Sequence, residues 1–438
     1  MLHLLRVRLY DLRFEKWLRE LFGWGHLLRA LLSREPAARA AHYGSAQGFF
    51  AKAMGRDILR TLMRRDGQLD QAAWRQAVTR HPALRYAREN LPSLTRTIVL
   101  KPPLANGEKG VLLSTFEYNW TKILLSLPPE GFRWLDQHYD LIFSTSSSPT
   151  HFASLSLAAA QVQGTVFVQA CNHQDIEALE SWHPRLKCLP TLPCDWLNPV
   201  LFHPKPYAEK SRDITMVSFW GPVKRHWEFF KALSRMPEHL KVTLIGQRDG
   251  PRTGEGMLPM ARAFGVRQDL EILESIPVAK VYEILSDSKA SVIMSLREGC
   301  CVAAVESLFA GCPLAMREDA YVGPLAYINE QTGRRLRPGR IAGDLMALLA
   351  ESENLHPHVW AQKNVAGQTS WQKVNGLLKE HALAQQRPWT QDIALPQWRP
   401  HPTFARPEEQ QTMRPAYDEL HRRFPLIFPS HLWSDSWR

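Results

Sequence analysis

Residues 292–316 read VIMSLREGCCVAAVESLFAGCPLAM. An apolar, strand-like run ends at Glu298-Gly299, a helical stretch follows with Val302, Val305, Leu308 and Phe309 on one face, and a Gly311-x-Pro313 turn closes it. A strand that turns into a helix start leaves several backbone N–H groups unpaired and aimed at the loop, where they hold phosphate oxygens. Two carboxylates frame this place: Glu298 in the loop, and Glu306 about one and a half turns into the helix at the edge of its apolar face. Beside an anion site they suit the hydroxyls of a ribose and a sugar ring, which donate to carboxylate oxygens. Spacing alone also permits the plainer alternative, in which Glu298 caps or solvates a loop and Glu306 is a surface helix residue.

The flanking sequence extends the pattern. Asp213–Trp220 (DITMVSFW) reads as a strand, Lys224 and Arg225 follow it, and Trp227–Leu233 reads as a helix. Lys241–Gly246 (KVTLIG), Leu270–Ile276 and the helical VAKVYEILSDS precede the motif strand; after it come Gly333 in NEQTGRRLRPG and a helix over Ile341–Glu351. Residues 205–355 together resemble the C-terminal domain of retaining, nucleotide-sugar glycosyltransferases with two Rossmann-like domains, the GT-B type of glycosyl transferases group 1. That family carries a Glu, seven residues, Glu signature followed by a Gly-x-Pro turn.

Upstream, Gly110–Ser114 (GVLLS), Tyr139–Thr145 (YDLIFST) and Thr165–Gln169 (TVFVQ) are short apolar runs that suit buried parallel strands. HFASLSLAAAQV, residues 151–162, places a helix between two of them, the alternation of a parallel sheet. The run from Asn198-Pro199 to Pro204 resembles the loop by which the family leaves its N-terminal domain. The fold expected is therefore α/β, with two Rossmann-like domains facing a cleft and an N-terminal helical extension. Its parts are a basic helical extension (1–94), an N-terminal acceptor domain (95–204), a C-terminal nucleotide-sugar domain (205–384) and a Pro/Trp-rich tail (385–438) packing back on the N-terminal domain. Prolines argue against long helices in that tail and leave one around Pro415–Arg423.

The resemblance implies a glycosyltransferase, hexosyltransferase-like and retaining. It would take a nucleoside-diphosphate sugar as co-substrate, use no further cofactor and no metal, and glycosylate a glycan, lipid-linked or small-molecule acceptor. Glu298 would bind hydroxyls of the donor sugar and Glu306 the nucleotide ribose, while the backbone of Gly299, Cys300, Cys301 and Val302 holds phosphate. Lys224 and Arg225 would supply cations to the departing diphosphate, where negative charge builds. His173, in the loop after Thr165–Gln169, is expected to face the same cleft and contact the donor sugar or the acceptor hydroxyl. Three places depart from the family. Phe219 stands where it has an Arg about five residues before the Lys, Cys300-Cys301 replaces an aromatic or aliphatic residue and a glycine, and Phe116-Glu117-Tyr118-Asn119-Trp120 replaces a glycine-rich turn. Two other function classes stay open: a catalytically silent glycosyltransferase-like binding protein, and a basic peripheral-membrane interaction protein.

Composition bounds these choices. The chain has 438 residues, enough for two to three domains, with 45% apolar and 22% charged residues, which excludes disordered and fibrous classes. Six cysteines form no Cys-x-x-Cys pair and read as reduced thiols of a cytoplasmic protein; no Asp-x-Asp pair offers to hold a metal-bound diphosphate. Residues 1–90 hold 17 Lys and Arg against 8 Asp and Glu, so most of the formal +11 lies there. No run reaches the roughly 18 apolar residues of a spanning helix, and basic residues interrupt the N-terminal apolar stretch too often for a signal peptide. Residues 1–32 instead mix Leu, Trp and Phe with Arg and Lys in helical fashion. Such a helix either lies on an anionic membrane surface, here the inner face, or packs on the N-terminal domain with a solvated basic face. No nucleic-acid-binding module is recognisable, and no nucleic-acid partner is expected.

Overall fold

A computed structural model describes residues 12, 15–50, 52–66, 69–81, 97–146, 151–397 and 403–428. Contacts divide the chain into two compact units, Met1–Pro193 with Trp371–Arg438, and Cys194–Ser370.

The first unit begins with four helices, α1 (Lys16–Leu32), α2 (Pro36–Phe49), α3 (Ala53–Arg65) and α4 (Gln71–Arg80). Proline at the first position of α2 supplies a pre-set φ where no N–H is needed, and the Asp70 carboxylate caps α4 by accepting from the Ala73 N–H at 2.7 Å. Strands β1 (Thr97–Lys101) and β2 (Gly110–Thr115), helices α5 (Glu117–Ser126) and α6 (Pro129–His138), β3 (Tyr139–Ser144), α7 (Phe152–Gln161), β4 (Val166–Gln169), α8 (Ile176–Glu180) and β5 (Leu186–Cys188) follow. The sheet order is β1-β2-β3-β4-β5, parallel except for the antiparallel β1. Residues of β2, β3 and β4 are buried on both faces almost throughout, which is why these strands read as continuous apolar runs. Helices α2 and α4 pack on α7. Of the 1–32 segment, residues 1–11, 13 and 14 lie outside the described residues, and α1 is its described part.

The second unit contains β6 (Arg212–Val217), α9 (His226–Leu233), β7 (Val242–Gly246), α10 (Met257–Ala263), β8 (Leu270–Glu274), α11 (Val278–Ser286), β9 (Ser288–Ile293), α12 (Val302–Phe309), β10 (Leu314–Arg317), β11 (Gly333–Leu336), α13 (Ile341–Glu351) and α14 (Pro357–Asn364). Its six strands are ordered β11-β10-β9-β6-β7-β8 and every pairing is parallel. Chain order thus runs outward from β6 to one edge, returns to β9 beside β6, and runs outward to the other edge. That is the doubly wound Rossmann-like order, with its reversal between β6 and β9.

The chain then passes into α15 (Gly367–Ala384), β12 (Pro396–Gln397), β13 (Thr403–Phe404) and α16 (Glu408–Arg423). The change of unit falls at Cys194 and Trp371 rather than at residues 205 and 385, because α15 buries Trp371, Val374 and Leu378 in the core of the first unit. Met413, Ala416, Tyr417 and Leu420 of α16 join the same core, and the Tyr417 hydroxyl accepts from the Val99 N–H of β1 at 3.0 Å. The expectation that prolines exclude a long helix here is corrected: α16 runs 16 residues with Pro415 inside it. A proline costs a helix interior about 3 kcal/mol, and burying four side chains of this size offsets that. Among the described residues no helix is long and apolar enough to cross a membrane, and all six cysteines are free.

Gly333 faces Leu314 across the β10–β11 pair, and a Cβ built on it lies 1.9 Å from the Leu314 carbonyl oxygen. Gly333→Ala is therefore expected to destabilise the edge of the second sheet by about 1–3 kcal/mol. Hydrogen exchange in β10 and β11 should accelerate; unchanged protection would mean that the strands tolerate the methyl group.

Candidate nucleotide-sugar site

The reversal between β6 and β9 sends two strand-to-helix turns side by side out of the carboxyl edge of the second sheet, the place where open parallel sheets bind ligands. From β6 the chain runs through Phe219, Gly221 and a 3-10 turn over Pro222–Lys224 into α9; from β9 it runs through Glu298 and Gly299 into α12. Lys224 and Glu298 meet there, the Lys224 Nζ donating to the Glu298 Oε1 at 2.6 Å. Their side chains are only 14% and 10% exposed, so the pair is largely withdrawn from water. The Lys224 ammonium also lies 5.2 Å from the centre of the Phe219 ring.

Both turns are strained. Arg225, which precedes α9, has φ 55°, and Cys301, which precedes α12, has φ 43°. Left-handed backbone costs a residue with a side chain roughly 1–2 kcal/mol, and such strain concentrates at functional sites. Cys301 thus holds a backbone conformation that glycine adopts without cost. Burial, and next the Glu298 carboxylate beside it, push the Cys301 thiol well above the ordinary range. It therefore stays a thiol and donates to Glu298, which is held from two sides. Tyr321 fixes the rest of the loop: its N–H donates to the Leu296 carbonyl at 2.7 Å, and the Arg297 guanidinium lies 4.9 Å from its ring centre.

Not every expected residue is placed as anticipated. Glu306 lies buried within α12 and accepts from the Tyr282 hydroxyl at 3.3 Å, deeper than the helix edge assigned to it. Arg225 is 5% exposed, and its guanidinium is committed to Glu228 at 2.9 Å and lies 4.9 Å from the centre of the Trp227 ring. Glu228 in turn accepts from Arg317 Nη1 at 2.6 Å, and Arg317 reaches Asp319 at 2.7 Å through Nη2. Burial opposes the charge of Arg317, but its hydrogen bonds to Asp319 and the carboxylate of Glu228 outweigh burial and hold its proton tightly. Sequence reasoning missed Glu228, Arg317 and Asp319. The local signal was the Glu three positions after Arg225 on a helix start; the Arg317 link depends on strand order.

His173 belongs to the first unit, exposed in the turn after β4 that Asn172 shapes by accepting from the Gln174 N–H at 3.0 Å. Phe116 has φ 65° at the start of α5, so this turn too keeps a conformation that glycine adopts without cost. Buried Glu117, next in sequence, accepts from the Ser146 N–H at 3.0 Å and the Ser146 hydroxyl at 2.6 Å.

The sequence matches no family model and no curated protein. Solved structures resemble it over part of the chain. Sucrose-phosphate synthase from Thermosynechococcus elongatus aligns at 16% identity over 56% of this chain and 69% of its own, with a TM-score of 0.46. Anabaena HepE in complex with UDP aligns at 13% identity over 60% and 78%, with a TM-score of 0.47. S. aureus TarM aligns at 12% identity over 55% of this chain, which spans about half of TarM (51%), with a TM-score of 0.44.

His226 opens α9 beside Lys224, its Nε2 2.9 Å from the Ser218 hydroxyl. Burial, and secondarily Lys224, push its imidazole down to about 3 from the ordinary 6.5. Between those values the unfolded chain carries the extra proton, so stability is intact above about pH 6.5 and falls as the pH drops toward 3. His226→Gln is expected to flatten this acid limb in urea midpoints measured from pH 7 to pH 4. An equal slope in the variant would exclude His226 as its source.

Proposed function

We propose that the second unit binds a nucleoside-diphosphate sugar and that the protein transfers its glycosyl group, with retention and without a metal ion, to a glycan, lipid-linked or small-molecule acceptor. The observation that carries this is the Lys224–Glu298 pair at 2.6 Å, set where the strand order reverses and beside the N-terminus of α12. One donor molecule supplies a replacement for each partner. Its diphosphate takes the Lys224 ammonium and the N–H groups of Gly299–Val302, and hydroxyls of its sugar donate to Glu298. In the transfer, the bond from the anomeric carbon to the diphosphate oxygen breaks and a bond to the acceptor oxygen forms on the same face. The acceptor's proton passes to the departing phosphate. Lys224 stabilises the charge that grows on that phosphate. Glu306 answers the ribose if Tyr282 yields it, His173 contacts the sugar or acceptor, and Arg225 holds its turn through Glu228.

Nucleoside diphosphates are expected to raise the melting temperature of the full chain, and a matching nucleotide sugar to be turned over with release of the diphosphate. Lys224→Ala should lower turnover by about a hundredfold or more, as loss of a transition-state charge partner does, and Glu298→Ala should weaken nucleotide-sugar binding. The proposal fails if no donor is hydrolysed or transferred and Glu298→Ala leaves donor binding unchanged.

A second feature favours peripheral membrane contact as part of the same function, at the inner, cytoplasmic face. Helix α1 turns Trp17 (64% exposed), Leu21 (61%), Leu28 (57%) and Leu32 (73%) outward along one stripe, with Lys16 and Arg29 also exposed on the helix. Apolar side chains in one stripe with cations alongside suit an anionic lipid surface. Full-length protein should sediment with anionic vesicles, and protein lacking residues 1–32 should not; equal binding by both removes the membrane.

A further inference from the structure

The first unit contains a cavity of about 300 Å3 between α3, the start of α4, α7 and the loop before β5. It lies against the C-terminal end of α7 and the start of β5, so it belongs to the opposite edge of the sheet from the Phe116 turn. Its floor is two buried indoles, Trp74 and Trp182, 6.4 Å apart and edge to face. The Trp182 Nε1 donates to the Ser156 hydroxyl at 2.7 Å, so Trp182 offers the cavity ring surface rather than a free donor.

The walls are cationic. Arg60 and Arg64 stand one turn apart on α3, on one helical face, and Arg185 comes from the loop before β5. Arg185 is fixed in place: its Nη1 donates to the carbonyls of Ala159 at 2.9 Å and Val162 at 2.7 Å at the end of α7. Arg60 pairs with Asp57, and Arg64 has no ion pair among the described residues. His183 accepts the Arg185 N–H through Nδ1 at 3.1 Å, which leaves Nε2 to carry a proton as a donor. The one carboxylate in the lining among the described residues, Asp70, is occupied with the cap of α4.

Three guanidinium groups around a half-enclosed space over apolar rings repel one another, and an anion removes that cost. We propose that this cavity binds a phosphate monoester, the phosphate held by Arg60, Arg64 and Arg185 with His183 Nε2, and the apolar or ring portion of the ester lying on Trp74 and Trp182. Arginine forks match phosphate oxygens two at a time, and the volume matches the lower end of small-ligand sites. The ester has two possible sources, a small metabolite or the headgroup of a lipid presented beside α1.

Calorimetric titration of the full chain with inorganic phosphate and with glycerol 1-phosphate tests the first source. Pelleting with phosphatidic acid vesicles against phosphatidylcholine vesicles tests the second. Saturable binding in either arm is expected, and Arg64→Gln, a change at an exposed side chain, should weaken it by about tenfold or more. Arg60→Gln with Arg64→Gln should abolish it while the melting temperature stays near that of the parent. Arg29→Gln on α1 and Glu298→Ala in the second unit should leave glycerol 1-phosphate binding unchanged. Absence of saturable binding in both arms, or equal affinity in the double variant, overturns the proposal.

Discussion

Parallel pairing of β6 with β9 is the constraint on which the rest of the second unit depends. Ile214 opposite Ala290 and Thr215 opposite Ser291 set a register in which two turns, distant in the chain, leave the sheet next to each other. Only that adjacency brings Lys224 within 2.6 Å of Glu298. A salt bridge this far from water gains little net stability, since desolvation offsets much of the Coulomb attraction. Its value is positional: two charges that would each be costly to withdraw from water alone are held against each other, and the pair ties the two turns together.

The same turns carry backbone strain that the surrounding contacts hold in place. Phe116, Arg225 and Cys301 each take a positive φ just before a helix, in the turns that follow β2, β6 and β9. Each has a compensating network next to it: Glu117 with Ser146, Arg225 with Glu228 and Arg317, Cys301 with Glu298. These bonds trap the helix starts in geometries that unassisted side-chain-bearing residues avoid. Arg225 shows what this requires of a residue. Its charge serves the turn that holds Lys224, so a cation beside a site is not always a cation for the ligand.

The first unit is assembled from both ends of the chain. Its N-terminal helices pack on α7, and its antiparallel edge strand β1 is pinned by Tyr417 from α16. Lys101 of β1 is fully buried against Glu108 at 2.8 Å, and Trp389 of the returning chain lies 3.3 Å from that ammonium. Glu108 also accepts from the Thr390 N–H, so one buried carboxylate fastens the tail to the sheet. Order in the tail is therefore a tertiary product, and it explains how a helix containing Pro415 persists.

The sequence by itself determined the elements whose signal is local. Largely apolar runs marked β2, β3, β4 and β7, because strands buried on both faces are predominantly apolar. The run from Val292 toward Glu298 overlaps β9 only at Val292–Ile293: the strand is SKASVI, starting four residues earlier, and its serines and lysine hid it. The turn chemistry around Glu298 and Gly311 marked the strand-to-helix junction and the helix that follows it. Strand β5, three residues long, is too short to leave a local signal, and β1 (TIVLK) carries the apolar pattern but was not read as a strand from it. Tertiary structure alone decided which cation faces Glu298. Lys224 and Arg225 are neighbours in the chain with similar charge, and the left-handed backbone at Arg225 separates their side chains, sending one to Glu298 and the other to Glu228. It also decided the depth of Glu306 and the gathering of Arg60, Arg64 and Arg185, because burial and convergence depend on packing between segments that no local pattern records.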